Sequence, residues 1–223
     1  MSQKRNILTT VVLLLLIVLT MMGLAIYQQW RVTQGDSGSD PGAVPDVNAD
    51  NVYIYDEPRP IRAFSLLDEQ GERVDNDLFR GRWTIAFVGF THCPDICPTT
   101  MATLSKAADR ISDATSQPRF LMISADPQRD TPEKLSKYVT FFGDDFRGLT
   151  GERETLKALA NDLNATFSRS TGSDGEPEVQ HSSHLSLISP GGDFVAMIRP
   201  PLEAPTIARV HEALQQWRPS TVD

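Results

Sequence analysis

The stretch Trp83-Thr84-Ile85-Ala86-Phe87-Val88-Gly89-Phe90, running on into Thr91-His92-Cys93-Pro94-Asp95-Ile96-Cys97-Pro98, decides the fold. Its first half is a short, nearly continuous apolar run. That is the pattern of a strand buried on both faces, in a sheet covered by helices. Its second half places two cysteines four residues apart directly after the strand. From Thr99 to Ile111, apolar residues then fall at Met101, Leu104, Ala107, Ala108 and Ile111, which is helical spacing. The cysteines therefore sit where a strand gives way to a helix.

Working outward, Arg119 to Ser124 reads as a second buried strand. Thr131 to Phe142 has a proline at an early helical position and Leu135, Tyr138, Val139 and Phe142 on one side. Phe146 to Thr150 is predicted as a short strand or sheet edge, and Glu152 to Leu163 as a helix. Ser168 to Gln180 reads as a polar loop. Leu185 to Ser189 and Phe194 to Ile198 flank Pro190-Gly191-Gly192-Asp193, a hairpin signal. Pro205 to Trp217 closes the chain as a helix, and Ile61 to Leu67, ending in Asp68-Glu69-Gln70-Gly71, opens the domain as one arm of a hairpin. Parallel strands need helical crossovers, and the terminal hairpin adds antiparallel strands. The expected fold is α/β: a thioredoxin-like mixed sheet flanked by helices. The functional site of such a sheet belongs at the carboxyl end of a central strand, where the cysteines lie.

The first 31 residues do not belong to that domain. Lys4 and Arg5 precede a run from Ile7 to Tyr27 without a charged residue, and Trp30 and Arg31 follow. About 20 apolar residues span a bilayer, and the positive flank stays in the cytoplasm. A signal peptide would have an apolar region of about 7–15 residues, and Gly23-Leu24-Ala25 is a weak cleavage site. An uncleaved N-terminal transmembrane helix is expected. It would be a single pass in a bacterial inner membrane, with the C-terminal domain in the periplasm. Residues 32–58, rich in Gly, Ser, Asp and Pro near their start, read as a flexible tether. Residues 59–218 form the domain and 219–223 a tail. Beyond Arg31 the chain has 18 basic residues against 29 acidic ones, a net of −11. That excludes a nucleic-acid partner, which needs a basic footprint.

Two cysteines in an exported domain admit three readings. A structural disulfide between residues this close ties a very small loop and gains little chain entropy. A redox dithiol is the second, although thioredoxin-type sites usually have two residues between the cysteines and this chain has three. The third is a soft metal ion. Residues i and i+4 share a helix face, a helix N-terminus stabilises thiolates, and thiolates select Cu(I), zinc or iron–sulfur clusters. A metal needs a further ligand. Of the four histidines, His92 abuts Cys93 as a loop residue, and His211 reads as a solvated position in mid-helix. His181 and His184 precede the hairpin strand, where a loop can fold over a helix N-terminus, and this pair is favoured.

Three segments, in order, resemble the SCO/SenC family of copper proteins, which help assemble cytochrome oxidase. They are Cys93-Pro94-Asp95-Ile96-Cys97-Pro98, then Asp126-Pro127-Gln128-Arg129-Asp130-Thr131-Pro132, then His181 followed by Ser182 to Ile188 and Ser189-Pro190-Gly191-Gly192-Asp193. The resemblance spans roughly Pro60 to Trp217, and it selects His181 rather than His184. Gln180 stands where the family often has an acidic residue. The resemblance implies a copper ion, Cu(I) or Cu(II), held by Cys93, Cys97 and His181. Asp126 is then a weak or outer-sphere group near the metal, or alternatively a cap or turn residue before the next helix. Arg129 and Asp130 are implied to be a structural pair or part of a docking face. The implied activity is delivery of copper to the binuclear copper centre of cytochrome c oxidase subunit II, with a periplasmic copper donor as a further partner. Alternatives are a thiol–disulfide oxidoreductase that keeps that subunit's cysteines reduced, acting through Cys93 and Cys97, or a copper-dependent redox sensor. A zinc site is a weaker alternative.

Overall fold

A computed structural model describes residues 13, 15–28, 45, 47, 49–111, 117–172, 175 and 177–217. The chain divides into two units, Met1–Ala43 and Val44–Asp223. In the first, residues 15–28 form helix α1, with its apolar side chains exposed. Thr20 spends its hydroxyl on the carbonyls of Leu16 and Ile17, at 3.0 and 2.8 Å. Among the described residues no helix is long and apolar enough to cross a membrane. The rest of the expected span, most of the tether before Val52 and the tail 219–223 lie outside the described residues.

The second unit is built around β4 (Thr84–Gly89), every residue of which is buried. β5 (Arg119–Ser124) runs parallel to it along its whole length, and β6 (Phe146–Thr150) runs parallel to β5. The crossovers between them are helices α2 (Ile96–Ala108) and α3 (Pro132–Val139). β6 is interior rather than an edge. Beyond it lie β2 (Leu66–Asp68) and β3 (Arg73–Val74), both antiparallel. On the other side of β4 come β9 (Leu185–Ile188), β10 (Asp193–Ile198) and β1 (Val52–Pro60), again antiparallel. A 3₁₀ turn, Asn76–Phe79, and helices α4 (Arg153–Asp162) and α5 (Ala204–Gln216) complete the layers. This is the mixed sheet flanked by helices that the apolar periodicities predict.

Local chemistry explains the boundaries. Thr131 caps α3 by accepting from Lys134 N–H, with Pro132 at the first position, where a missing N–H costs nothing. Glu152 caps α4 in the same way through Thr155. Gly148 lets α3 come close to β6, because a Cβ there would lie 3.2 Å from Leu135. Phe120 and Phe146 stack across β5 and β6 at 4.7 Å, within a core that includes Phe79, Ile85, Met101, Leu104 and Phe194.

Three expectations need correction. The tether drawn to residue 58 overlaps β1, which pairs with β10 and sets Tyr55 against Phe194 at 5.1 Å. This is an edge strand with a register shift between Ile54 and Arg59, so Pro58 and Pro60 are tolerated where an interior strand would exclude them. The loop expected from Ser168 to Gln180 is a hairpin, β7 (Phe167–Thr171) and β8 (Pro177–His181), separate from the main sheet. Its Asp174-Gly175 dipeptide is a turn signal in the sequence. His211 is fully buried, edge-on to Trp83 at 6.1 Å, rather than solvated.

Candidate metal centre

β4 delivers the chain to the site at Gly89, and the absence of a side chain there is structural. A Cβ at Gly89 would meet Phe87 Cε2 at 2.7 Å and Cys97 Sγ at 3.0 Å. The next residues are pinned from the turn that follows β5. The Asp130 carboxylate accepts from Thr91 N–H at 3.2 Å, from the Thr91 hydroxyl at 2.6 Å and from the Ser124 hydroxyl at 2.7 Å. Cys93 N–H then closes a turn onto Phe90 O at 3.2 Å. α2 begins at Ile96, and Pro98 sits in its first turn, where its missing N–H would find no helical partner in any case.

This geometry makes the two cysteines unequal. Cys93 is half-exposed and accepts the Cys97 backbone N–H at 3.4 Å, a helix N-terminal donor aimed at sulfur. Cys97 is buried. Burial pushes its thiol well above the ordinary cysteine range, an N–H of Phe90 opposes that shift, and neighbouring Cys93 adds to it. Both thiols are free.

His181, the last residue of β8, completes the group. Its Nε2 lies 3.6 Å from Cys97 Sγ, and the ligand atoms of Cys93, Cys97 and His181 all lie within 4.8 Å of one another. Nδ1 is 2.8 Å from the Ser182 carbonyl oxygen. A carbonyl can only accept, so Nδ1 carries a proton, which leaves Nε2, on the side of the sulfurs, as the ring atom that can ligate a metal. Phe90 holds the ring edge-on at 5.8 Å. The donor set, two sulfurs and one imidazole converging from a strand end, a helix start and a hairpin end, suits a soft metal ion.

The other sequence candidates do not join them. His184 Nε2 donates to Leu163 O at 3.1 Å. Burial lowers the His184 pKa, against the opposing effect of that hydrogen bond. His92 is exposed, with Nδ1 3.0 Å from the Thr91 hydroxyl. Asp126 is fully buried beside the site, but its carboxylate is engaged by Arg129 and, at 3.7 Å, by Arg169. It is not one of the three clustered ligand atoms; its backbone carbonyl accepts from the N–H groups of Arg129 and Asp130 at 3.0 and 2.9 Å, which makes it a turn residue before α3. Arg129 and Asp130 do not pair with each other: Arg129 binds Asp126, and Asp130 binds Thr91 and Ser124. The roles of Thr91, Ser124 and Arg169 were not read from the sequence. Each depends on a buried carboxylate of the turn after β5: Thr91 and Ser124 on Asp130, Arg169 on Asp126.

A thioredoxin-type sheet with two free thiols at the mouth of its central strand, and an imidazole closing over them, defines a class of dithiol–imidazole metal-site proteins. The sequence model of the SCO1/SenC family matches residues 55–216, and this chain belongs to that family. It is 36% identical over 161 residues to a Stutzerimonas stutzeri protein named for copper binding, covering 72% of this chain and 79% of that one. It is 34% identical over 158 residues to the mitochondrial SCO1 homolog 1 of Arabidopsis thaliana, covering 68% of this chain but 47% of that longer protein. The structure of Arabidopsis thaliana ScoI with copper bound superposes with a TM-score of 0.65 at 33% identity, over 70% of this chain and 98% of that one.

Proposed function

We propose that this chain is a copper carrier. It takes up one copper ion through Cys93 Sγ, Cys97 Sγ and His181 Nε2 and passes it to the binuclear copper centre of cytochrome c oxidase subunit II. The observation that carries the reading is the convergence of those three ligand atoms within 4.8 Å at a strand–helix junction. Cys93 and His181 are only half-buried, so an incoming ligand can reach the cargo. Two thiolates and one imidazole leave a coordination position open, and transfer then proceeds by ligand exchange. Cu(II) prefers additional nitrogen or oxygen ligands. Binding must displace the Cys97 proton, so uptake strengthens as pH rises. The copper-named and copper-bound relatives support the choice of metal. The uncharged N-terminal run supports a chain anchored by one span in a bacterial inner membrane, with its acidic domain on the periplasmic side.

The test is titration of the reduced full-length protein in detergent with Cu(I), in competition with a chelator. The expected result is one copper per chain, with sharply weakened binding in Cys93→Ser, Cys97→Ser and His181→Ala. Unchanged one-to-one binding in all three variants refutes the site. Copper-loaded protein mixed with copper-free subunit II domain should lose its metal to that domain.

The asymmetry of the two cysteines favours a second reading, thiol–disulfide exchange with subunit II. The Cys93 thiolate attacks one sulfur of a partner disulfide and releases a partner thiolate. Cys97 then attacks the Cys93 sulfur, releasing the second partner thiol and leaving a Cys93–Cys97 disulfide. This exchange needs no imidazole ligand, so it survives His181→Ala, whereas copper uptake does not.

A further inference from the structure

Asp126 and Asp130 bracket the turn that follows β5. Both are fully buried. Asp130 holds the cysteine half through Thr91. Asp126 reaches, through Arg169, the hairpin that carries His181. One carboxylate oxygen is bound by Arg129, while Oδ1 accepts no hydrogen bond among the described residues and is compensated by the Arg169 charge at 3.7 Å.

Arg169 belongs to β7 and pairs with Val179, and one alternation along the ladder Phe167 pairs with His181. Side chains alternate across a strand pair, so Arg169, Phe167, Val179 and His181 share one face. Burial follows that alternation: Phe167 is buried and the other three are half-buried, whereas Ser168, Ser170, Glu178 and Gln180 are exposed. Among the described residues the hairpin pairs with no strand of the main sheet. An isolated two-stranded hairpin is marginal in water, so its inward side chains must fix its position. Phe167 and Val179 supply apolar contact, which has no direction. The Arg169–Asp126 pair is directional.

We propose that Asp126 is a positioning residue for His181: through Arg169 it locks the β7–β8 hairpin at the register that places the imidazole over the two sulfurs. With Asp130 holding Thr91, one turn then sets the distance between the cysteine and histidine halves. The proposal rests on the copper-carrier reading for its consequence but on the ion pair for its geometry.

The cleaner variant is Arg169→Gln, because Asp126 keeps Arg129 as a partner. Outer residues that orient a metal ligand typically contribute about 10- to 100-fold to affinity. Arg169→Gln in the full-length protein should weaken copper binding by about that factor, and Arg169→Lys should restore part of it. Its Cu(II) absorption should move toward that of His181→Ala. In a His181→Ala background Arg169→Gln should have no further effect on affinity, since its only route to the metal is gone. NMR signals of the His181 ring in metal-free protein should also shift on Arg169→Gln. Unchanged affinity in Arg169→Gln overturns the proposal, as does an equal loss in the His181→Ala background. If the wild type takes up no copper but the ring signals still move, the positioning role stands and the copper reading falls.

Discussion

Replacing Gly89 by alanine tests the packing under the site. The added Cβ would stand 2.7 Å from Phe87 Cε2, 3.4 Å from Phe87 Cδ2 and 3.0 Å from Cys97 Sγ. Phe87 is 5% exposed and Cys97 1%, so neither can swing into solvent. Overpacking of this kind costs ~1–3 kcal/mol. Gly89 has no positive φ, so alanine regains ~0.4–1 kcal/mol by restricting the unfolded chain. The net is a loss of about 1–2 kcal/mol. At about 2–4 °C per kcal/mol for a domain of this size, the melting temperature should fall by roughly 2–8 °C. The displaced Cys97 sulfur should weaken Cu(I) binding as well. Calorimetry of the reduced, metal-free protein and a Cu(I) competition assay measure the two effects. A melting temperature equal to or above the wild type, with unaltered copper affinity, would refute the close approach of β4 to Cys97.

Two further outcomes follow from the fold. A version beginning at residue 61 lacks β1 and the partial burial of Val52, Ile54 and Tyr55 against the core, besides the buried Val47 that precedes the strand. At ~1.5–3 kcal/mol for a fully buried side chain, three partly buried ones amount to about 3 kcal/mol. Thermal unfolding should show the deficit against a version beginning at residue 48, so that Val47 is absent from both, and equal melting temperatures would show that β1 contributes nothing. The second outcome concerns pH. Burial lowers the His184 pKa below its usual 6.5, so around and below that pH the unfolded chain binds a proton that the folded chain resists. The stabilisation is complete above about pH 6.5 and erodes as pH falls toward the depressed folded value. Denaturant titrations between pH 7 and 5 should show stability falling in the wild type and a flatter profile in His184→Gln. Parallel profiles would exclude His184 as the cause.

The sequence alone determined the elements whose signal is local. β4 and β5 are continuous apolar runs, α2, α3 and α4 carry a helical period, Pro132 marks the start of α3, and Pro190-Gly191-Gly192 marks the β9–β10 turn. Those elements also put both cysteines at the mouth of a central strand, because a helix must start where that strand ends. The tertiary structure decided everything that depends on a distant partner. His181 meets Cys97 across 84 residues of sequence. A count along the resembling motif singles it out, but nothing in its own neighbourhood distinguishes it from His184. β1 escaped notice because an edge strand needs one paired side and little apolar alternation. β7–β8 escaped notice because its cohesion lies in backbone bonds and one half-buried face. Asp126 shows the limit most plainly: the sequence leaves it an outer-sphere group near copper or a turn residue, and only the fold shows that it opens the turn and that its charge goes to Arg129 and Arg169. Hydrophobic period is written along the chain, whereas which buried charge meets which is settled only when strands from different parts of it come together.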